Sequence, residues 1–225
     1  MGEIIEEWSL RNKVHVFEDR FDAGRKLADF LLDNDIEFDL VLAIPNGGVA
    51  VGLEIAKKLE KELKVAIVRK ATYPWTTEAG FGAVSWTGEV ELETEAVKML
   101  SKEEVEASVA RAKKSVEERL KLFRDFLPGD LKDLRVVIVD DGLATGYTML
   151  VAVKSVRKLG AREIVVAVPT SSEGAAYMVA ESVDLLLVLN LRSSFFYAVA
   201  DAYKRWRDLS ELEVLNLLLS LKRGT

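Results

Sequence analysis

Apolar residues recur along this chain with two periods, and the two alternate. Short apolar runs at 40–44, 63–68, 136–139, 164–169 and 185–189 have the length of strands. At 136–139, four consecutive β-branched residues show no alternation, as expected of a strand buried on both faces of a parallel sheet. Between the runs the period lengthens to that of a helix. Leu27, Ala28, Phe30, Leu31 and Leu32 predict a helix over 21–33 with Asp22 as its N-cap, and a second helix follows Pro45 and the turn Asn46-Gly47-Gly48 through Lys58. Ser101 with Glu104 forms a capping box ahead of a long amphipathic helix over 101–126, carried by Val105, Val109, Ala112, Val116, Leu120 and Phe123 and stopped by Pro128-Gly129-Asp130. Further helices are predicted at 148–159, 173–181, 198–206 and after Ser210, where Leu212, Leu215, Leu218 and Leu219 give an apolar surface suited to burial or a dimer contact. The stretch 71–88 follows neither period and predicts a long loop or loose hairpin.

Alternation of strand and helix, with no repeat and no Gly/Ser linker, predicts a single α/β domain over residues 1–225. The expected architecture is Rossmann-like and doubly wound: a mostly parallel five-stranded sheet with helices on both faces. Composition narrows the chemistry. With no Cys, disulfides, thiolate catalysis and Cys-based metal sites are excluded, and the single His15, read as a surface residue, leaves no multi-histidine metal site. A net charge of −6 argues against extensive contact with nucleic acid. The acidic start MGEIIEEWSL and the absence of a membrane-length apolar run predict a cytoplasmic protein.

The stretch VVIVDDGLATGYT, residues 136–148, holds the candidate chemistry. Its strand delivers Asp140 and Asp141 to the carboxyl edge of the sheet, where open α/β sheets place ligands. Small and hydroxylated residues follow and then a helix start, so backbone amides can curl around an anion at the helix N-terminus. The acids suit sugar hydroxyls or a hydrated magnesium ion. A phosphorylated sugar is the ligand implied.

This stretch closely resembles the phosphoribosyl pyrophosphate signature of the type I phosphoribosyltransferases, and the similarity spans nearly the whole chain, closest to a poorly characterised branch. The resemblance implies that Asp140 and Asp141 hold the ribose hydroxyls, and a magnesium ion directly or through water. By the same resemblance Ala144, Thr145, Gly146, Tyr147 and Thr148 form the 5′-phosphate loop, and Asn46, Gly47 and Gly48 the pyrophosphate loop, although relatives carry Arg where this chain has Asn46. Arg69 and Lys70, which end a strand at the ligand edge, would contact pyrophosphate. The family pattern places a core at about 36–190, with a hood and lid from about 1–20, 71–92 and 191–225, the 71–92 part being a mobile loop that keeps water from the reacting centre. Tyr73, Trp75, Phe81 and Trp86 would serve that lid or a subunit interface, and Phe195 and Phe196 would stack on a base or close the core.

The function implied is a magnesium-dependent transfer of the phosphoribosyl group of phosphoribosyl pyrophosphate to a nucleobase in nucleotide salvage, with release of pyrophosphate, by a homodimer. Relatives acting on 6-oxopurines can use a carboxylate where this chain has Ala144, which weakens that assignment; the Ala-Thr-Gly wording is found in relatives acting on adenine, and orotate and uracil stay open. The alternative is a regulatory protein of the same fold that senses phosphoribosyl pyrophosphate without turnover.

Overall fold

The computed structural model describes residues 2–77, 79–194 and 196–222. In chain order the elements are β1 (Glu3–Glu6), α1 (Arg20–Asp33), β2 (Leu40–Ala43), α2 (Gly47–Leu59), β3 (Glu62–Val65), β4 (Val68–Thr72), β5 (Gly80–Ser85), β6 (Val90–Leu92), α3 (Thr94–Met99), α4 (Lys102–Leu122), β7 (Arg135–Val139), α5 (Tyr147–Lys158), β8 (Glu163–Ser172), α6 (Glu173–Ala180), β9 (Leu185–Arg192) and α7 (Glu211–Lys222). Six strands form one parallel sheet in the order β1-β9-β8-β7-β2-β3.

Alternate residues of these buried strands serve two different cores. Val41, Ala43, Val137, Val139, Val165 and Leu187 pack on the side of α1, α2 and α7. Leu42, Ile138, Val166 and Val188 pack on the side of α5 and α6. Burial on both faces explains the unbroken apolar runs, and it makes the sheet doubly wound as expected.

Several boundaries differ from the sequence-based expectation. The main sheet has six strands rather than five, because β1, with the polar-ended sequence EIIE, pairs with β9 at the edge. The run 63–68 is not one strand: β3 ends at Val65, and β4 begins at Val68 in a separate three-stranded antiparallel sheet, β4-β5-β6. Much of the expected loop at 71–88 is therefore an ordered meander. It has its own core of Ala71, Phe81 and Ala96, and Ser108 of α4 donates to the Thr72 carbonyl at 2.7 Å. On its other side, Ser155 of α5 donates to the Ser85 hydroxyl at 2.6 Å. Helix α1 is capped by Asp19, which accepts from the Asp22 amide, so Asp22 lies inside the first turn. The stretch 198–206 holds only the short 3-10 turn Val199–Ala202. The capping box at Ser101 and Glu104 is present.

The terminal segments meet beside the sheet. Phe17 bridges Tyr203, and the Lys204 and Arg205 amides donate to the carbonyls of Phe17 and Glu18. This pairing carries Arg20, at the start of α1, and Trp206 toward the carboxyl ends of β2 and β7.

Candidate functional site

A cavity of about 600 Å³ opens at those carboxyl ends. Strand β7 ends at Val139 and delivers Asp140 and Asp141 to its floor. The Asp140 carboxylate accepts from the Asp141 amide at 2.8 Å. Burial, and then the neighbouring Asp141 charge, push the Asp140 carboxyl well above its usual range, while Lys70 and Arg20 oppose this.

Asp141 is held differently. Arg20 Nε donates to Asp141 Oδ2 at 2.7 Å, and Arg20 Nη1 donates to the Arg207 carbonyl at 2.7 Å. The same guanidinium lies 3.8 Å from the centre of the Trp206 ring. The Tyr203 hydroxyl donates to the Asp141 carbonyl at 2.6 Å. One buried cation thus ties the acid pair to the segment between Tyr203 and Leu209.

After the acids the chain turns. Leu143 bridges Ser171 of β8, and Ser172 donates to the Ala144 carbonyl at 2.8 Å, which fixes the loop from its outer side. Gly146 adopts φ +86° and opens α5. Among the described residues no backbone or side-chain acceptor meets the amides of Ala144, Thr145, Gly146, Tyr147 or Thr148. All five residues line the cavity. Free amides at the start of a twelve-residue helix suit a phosphate.

The opposite wall comes from the turn between β2 and α2, where the Pro45–Asn46 peptide is cis. Asn46 and Gly47 line the cavity, and Gly48 packs behind them against Val139 and Asp140. Asn46 points its amide away from the role expected for it: Nδ2 donates to the Leu209 carbonyl at 2.6 Å, and Oδ1 is buried without a donor among the described residues. Strand β4 brings Arg69 and Lys70 to the cavity. The two serve different neighbours, since Lys70 offsets the Asp140 charge while Arg69 acts on Arg119.

The structure therefore gathers Asn46, Gly47, Arg69, Lys70, Asp140, Asp141 and the loop 144–148 around one space. It does not bring Phe196 there. That side chain is 85% exposed, and Phe195 lies outside the described residues. Two aromatic residues line the cavity, Tyr147 in the loop and Trp206, which is accompanied by Val199 and Leu209. Arg20, Arg119 and Trp206 were not singled out by sequence reading.

The acid pair also bears on metal binding. Among the described residues no group of three His, Cys, Asp or Glu side chains converges as a ready cage. Two adjacent half-buried carboxylates, each repelling the other, still leave oxygens that a hydrated cation would satisfy. The acid pair thus fits a hydrated magnesium ion.

A parallel sheet with acids, an open amide loop and cations at one carboxyl edge defines an α/β domain with a candidate anion-binding site at that edge. The family model for the phosphoribosyl transferase domain matches residues 13–186, and the chain belongs to that family. A Mycobacterium tuberculosis protein provisionally named a phosphoribosyl transferase is 34% identical over 208 residues, covering 90% of this chain and 46% of the relative. The chain thus spans about half the length of the curated relatives it matches. The crystal structure of TT1426 from Thermus thermophilus is 34% identical, with a TM-score of 0.73 over 91% of this chain and 98% of that one. A Neisseria gonorrhoeae protein crystallised with bound ppGpp is 16% identical, with a TM-score of 0.51 over 98% of each chain, and shares the fold.

Proposed function

We propose that this chain is a magnesium-dependent phosphoribosyltransferase that moves the phosphoribosyl group of phosphoribosyl pyrophosphate to a nucleobase and releases pyrophosphate. The observation that carries this reading is the single cavity shared by the acid pair and the unpaired amides at the start of α5. In the reaction the bond from the anomeric carbon to the pyrophosphate oxygen breaks, and its electrons leave with pyrophosphate. A ring nitrogen of the base supplies the pair for the new bond, and its proton passes to the departing pyrophosphate or to water. Positive charge develops on the ribose and negative charge on the leaving group, so each needs a fixed partner.

The loop 144–148 would anchor the 5′-phosphate through its amides, and Asp140 and Asp141 would accept hydrogen bonds from the ribose hydroxyls. Asp140, Asp141 and the substrate would hold magnesium, which supplies charge neutralisation at the leaving group when bound. Lys70 faces the acids and would meet the same end of the substrate. Arg20 keeps Asp141 in a fixed orientation. The base would lie toward Trp206, Val199 and Leu209, with Asp208 as the carboxylate on that side of the cavity. The tip between β4 and β5 would cover the reacting centre, since Thr77, Ala79 and Gly80 already line it.

Two aromatic substitutions separate this placement of the base from the one expected from sequence. Phe196→Ala should leave turnover within about twofold, because an exposed side chain outside the cavity contributes little. Trp206→Ala should raise KM for the base by about tenfold or more, in line with ~1–3 kcal/mol for stacking on an aromatic ring. Steady-state kinetics of both variants make the comparison. The base itself is identified by measuring pyrophosphate release from phosphoribosyl pyrophosphate and magnesium with adenine, guanine, hypoxanthine, xanthine, uracil and orotate in separate reactions. Release with one base names the acceptor. Saturable binding of phosphoribosyl pyrophosphate with no release in any of the six would favour a sensor of the same ligand.

A further inference from the structure

The positive charge in the cavity exceeds what its neighbours use. Arg20 is committed to Asp141, the Arg207 carbonyl and the Trp206 ring. Lys70 acts on Asp140. Arg69 and Arg119 remain, brought from β4 and α4 to the same wall. Arg119 is only 7% exposed although it belongs to a strongly charged helix. Its Nε lies 2.8 Å from a carboxylate oxygen of Glu211, whose side chain is 47% exposed at the first turn of α7. Burial, and then the like charge of Arg69, make Arg119 harder to keep protonated than a free arginine. Asn46 offers no relief on this wall, since its NH2 is committed to Leu209 and its free oxygen is an acceptor.

Two guanidinium groups that repel each other while lining one cavity favour a ligand with several anionic oxygens. A diphosphate meets that demand, because a planar guanidinium can engage two of its oxygens at once. Glu211 can yield its place at small cost, being half in solvent.

We propose that Arg119 is a substrate-binding residue which, with Arg69, forms the subsite for the diphosphate group of phosphoribosyl pyrophosphate and for released pyrophosphate. This rests on the reading of the cavity given above, deepens it at one residue, and is tested apart from it. Inorganic pyrophosphate and ribose 5-phosphate, each with magnesium, are titrated calorimetrically into the wild-type chain and into Arg119→Gln, Arg119→Lys and Glu211→Gln. Arg119→Gln should weaken pyrophosphate at least tenfold and leave ribose 5-phosphate within twofold. Arg119→Lys should recover part of the loss. Glu211→Gln, which removes the competing carboxylate, should tighten pyrophosphate.

Equal pyrophosphate affinity in Arg119→Gln and wild type would overturn the assignment, as would wild type that binds ribose 5-phosphate but no pyrophosphate. If Arg119→Gln does not fold, Glu211→Gln decides: tighter pyrophosphate binding supports the subsite, and unchanged or weaker binding refutes it. A wild-type chain that binds neither ligand refutes both the subsite and the broader reading of the cavity.

Discussion

Asp141→Asn is expected to cut affinity for phosphoribosyl pyrophosphate about 100-fold and to destabilise the free protein, whereas Asp140→Asn should cut affinity similarly while stabilising it. The shared loss follows from chemistry. A hydrogen bond to a charged acceptor contributes ~1.5–3 kcal/mol, and each 1.4 kcal/mol is about tenfold in affinity. The opposite effects on stability follow from the two environments. Asp141 is the carboxylate partner of Arg20, a guanidinium only 8% exposed. Neutralising Asp141 leaves that cation without its counter-charge, a change that costs about 3 kcal/mol in comparable buried pairs.

Asp140 is a half-buried acid, desolvated at the cavity floor and repelled by its neighbour, with its pKa raised well above the usual 3.8. The folded state holds that proton more tightly than the unfolded state does. The unfolded chain therefore loses it first as pH rises, and stability falls from about pH 4 upward through the folded-state pKa. In Asp140→Asn this part of the decline should be absent. Calorimetric titration with ligand and thermal melts between pH 4 and pH 8 check both halves. A stabilised Asp141→Asn or a destabilised Asp140→Asn would show that the roles of the two acids are misassigned.

The second large effect is steric. A Cβ on Gly47 would lie 1.9 Å from Asp141 Oδ2 and 2.9 Å from Arg20 Nε. Asp141 cannot swing aside without breaking its bond to Arg20, so Gly47→Ala should displace the acid or the turn that opposes it. Overpacking of this kind typically costs ~1–3 kcal/mol in stability. A displaced acid should also lower kcat/KM by about 100-fold, since an error near 1 Å in a reacting geometry costs that much. At Gly48 the clash would be with backbone, the Val139 carbonyl at 2.8 Å and Asp140 Cα at 2.9 Å, so Gly48→Ala should be at least as damaging. Gly129→Ala is the control, because nothing lies within 4 Å of a Cβ there. Turnover and melting temperature of the three variants, measured together, separate a local clash from a general intolerance of added methyl groups.

The parallel sheet was legible because burial on both faces leaves uninterrupted β-branched runs, as at 136–139. The acid pair and the amide loop were legible for the same reason: they follow that strand directly, so sequence order is spatial order. What escaped reading depends on distant pairing. β1 is short and half polar, and only its partner β9 makes it a strand. Leu63 to Val68 read as one apolar run because a change of sheet at Ala66 and Ile67 leaves no trace in hydrophobicity. Arg20 and Trp206 reach the cavity through the pairing of Phe17 with Tyr203, across a separation no local pattern reports. Trp206 sits among Lys204, Arg205 and Arg207, a charged stretch with no local pattern that marks a cavity residue.

Arg119 did carry a local signal. It falls in phase with Ala112, Val116 and Phe123, all buried, so a charge sat on the apolar face of an otherwise regular amphipathic helix. A cation in that position requires a counter-charge or a ligand.

The most direct test of the central claim is calorimetric titration of phosphoribosyl pyrophosphate, with magnesium, into the wild-type chain and into a chain carrying both Asp140→Asn and Asp141→Asn. Saturable binding at one site per chain, displaced by ribose 5-phosphate and lost in the double variant, is the predicted result. No binding to wild type at millimolar ligand, or undiminished binding to the double variant, would contradict it.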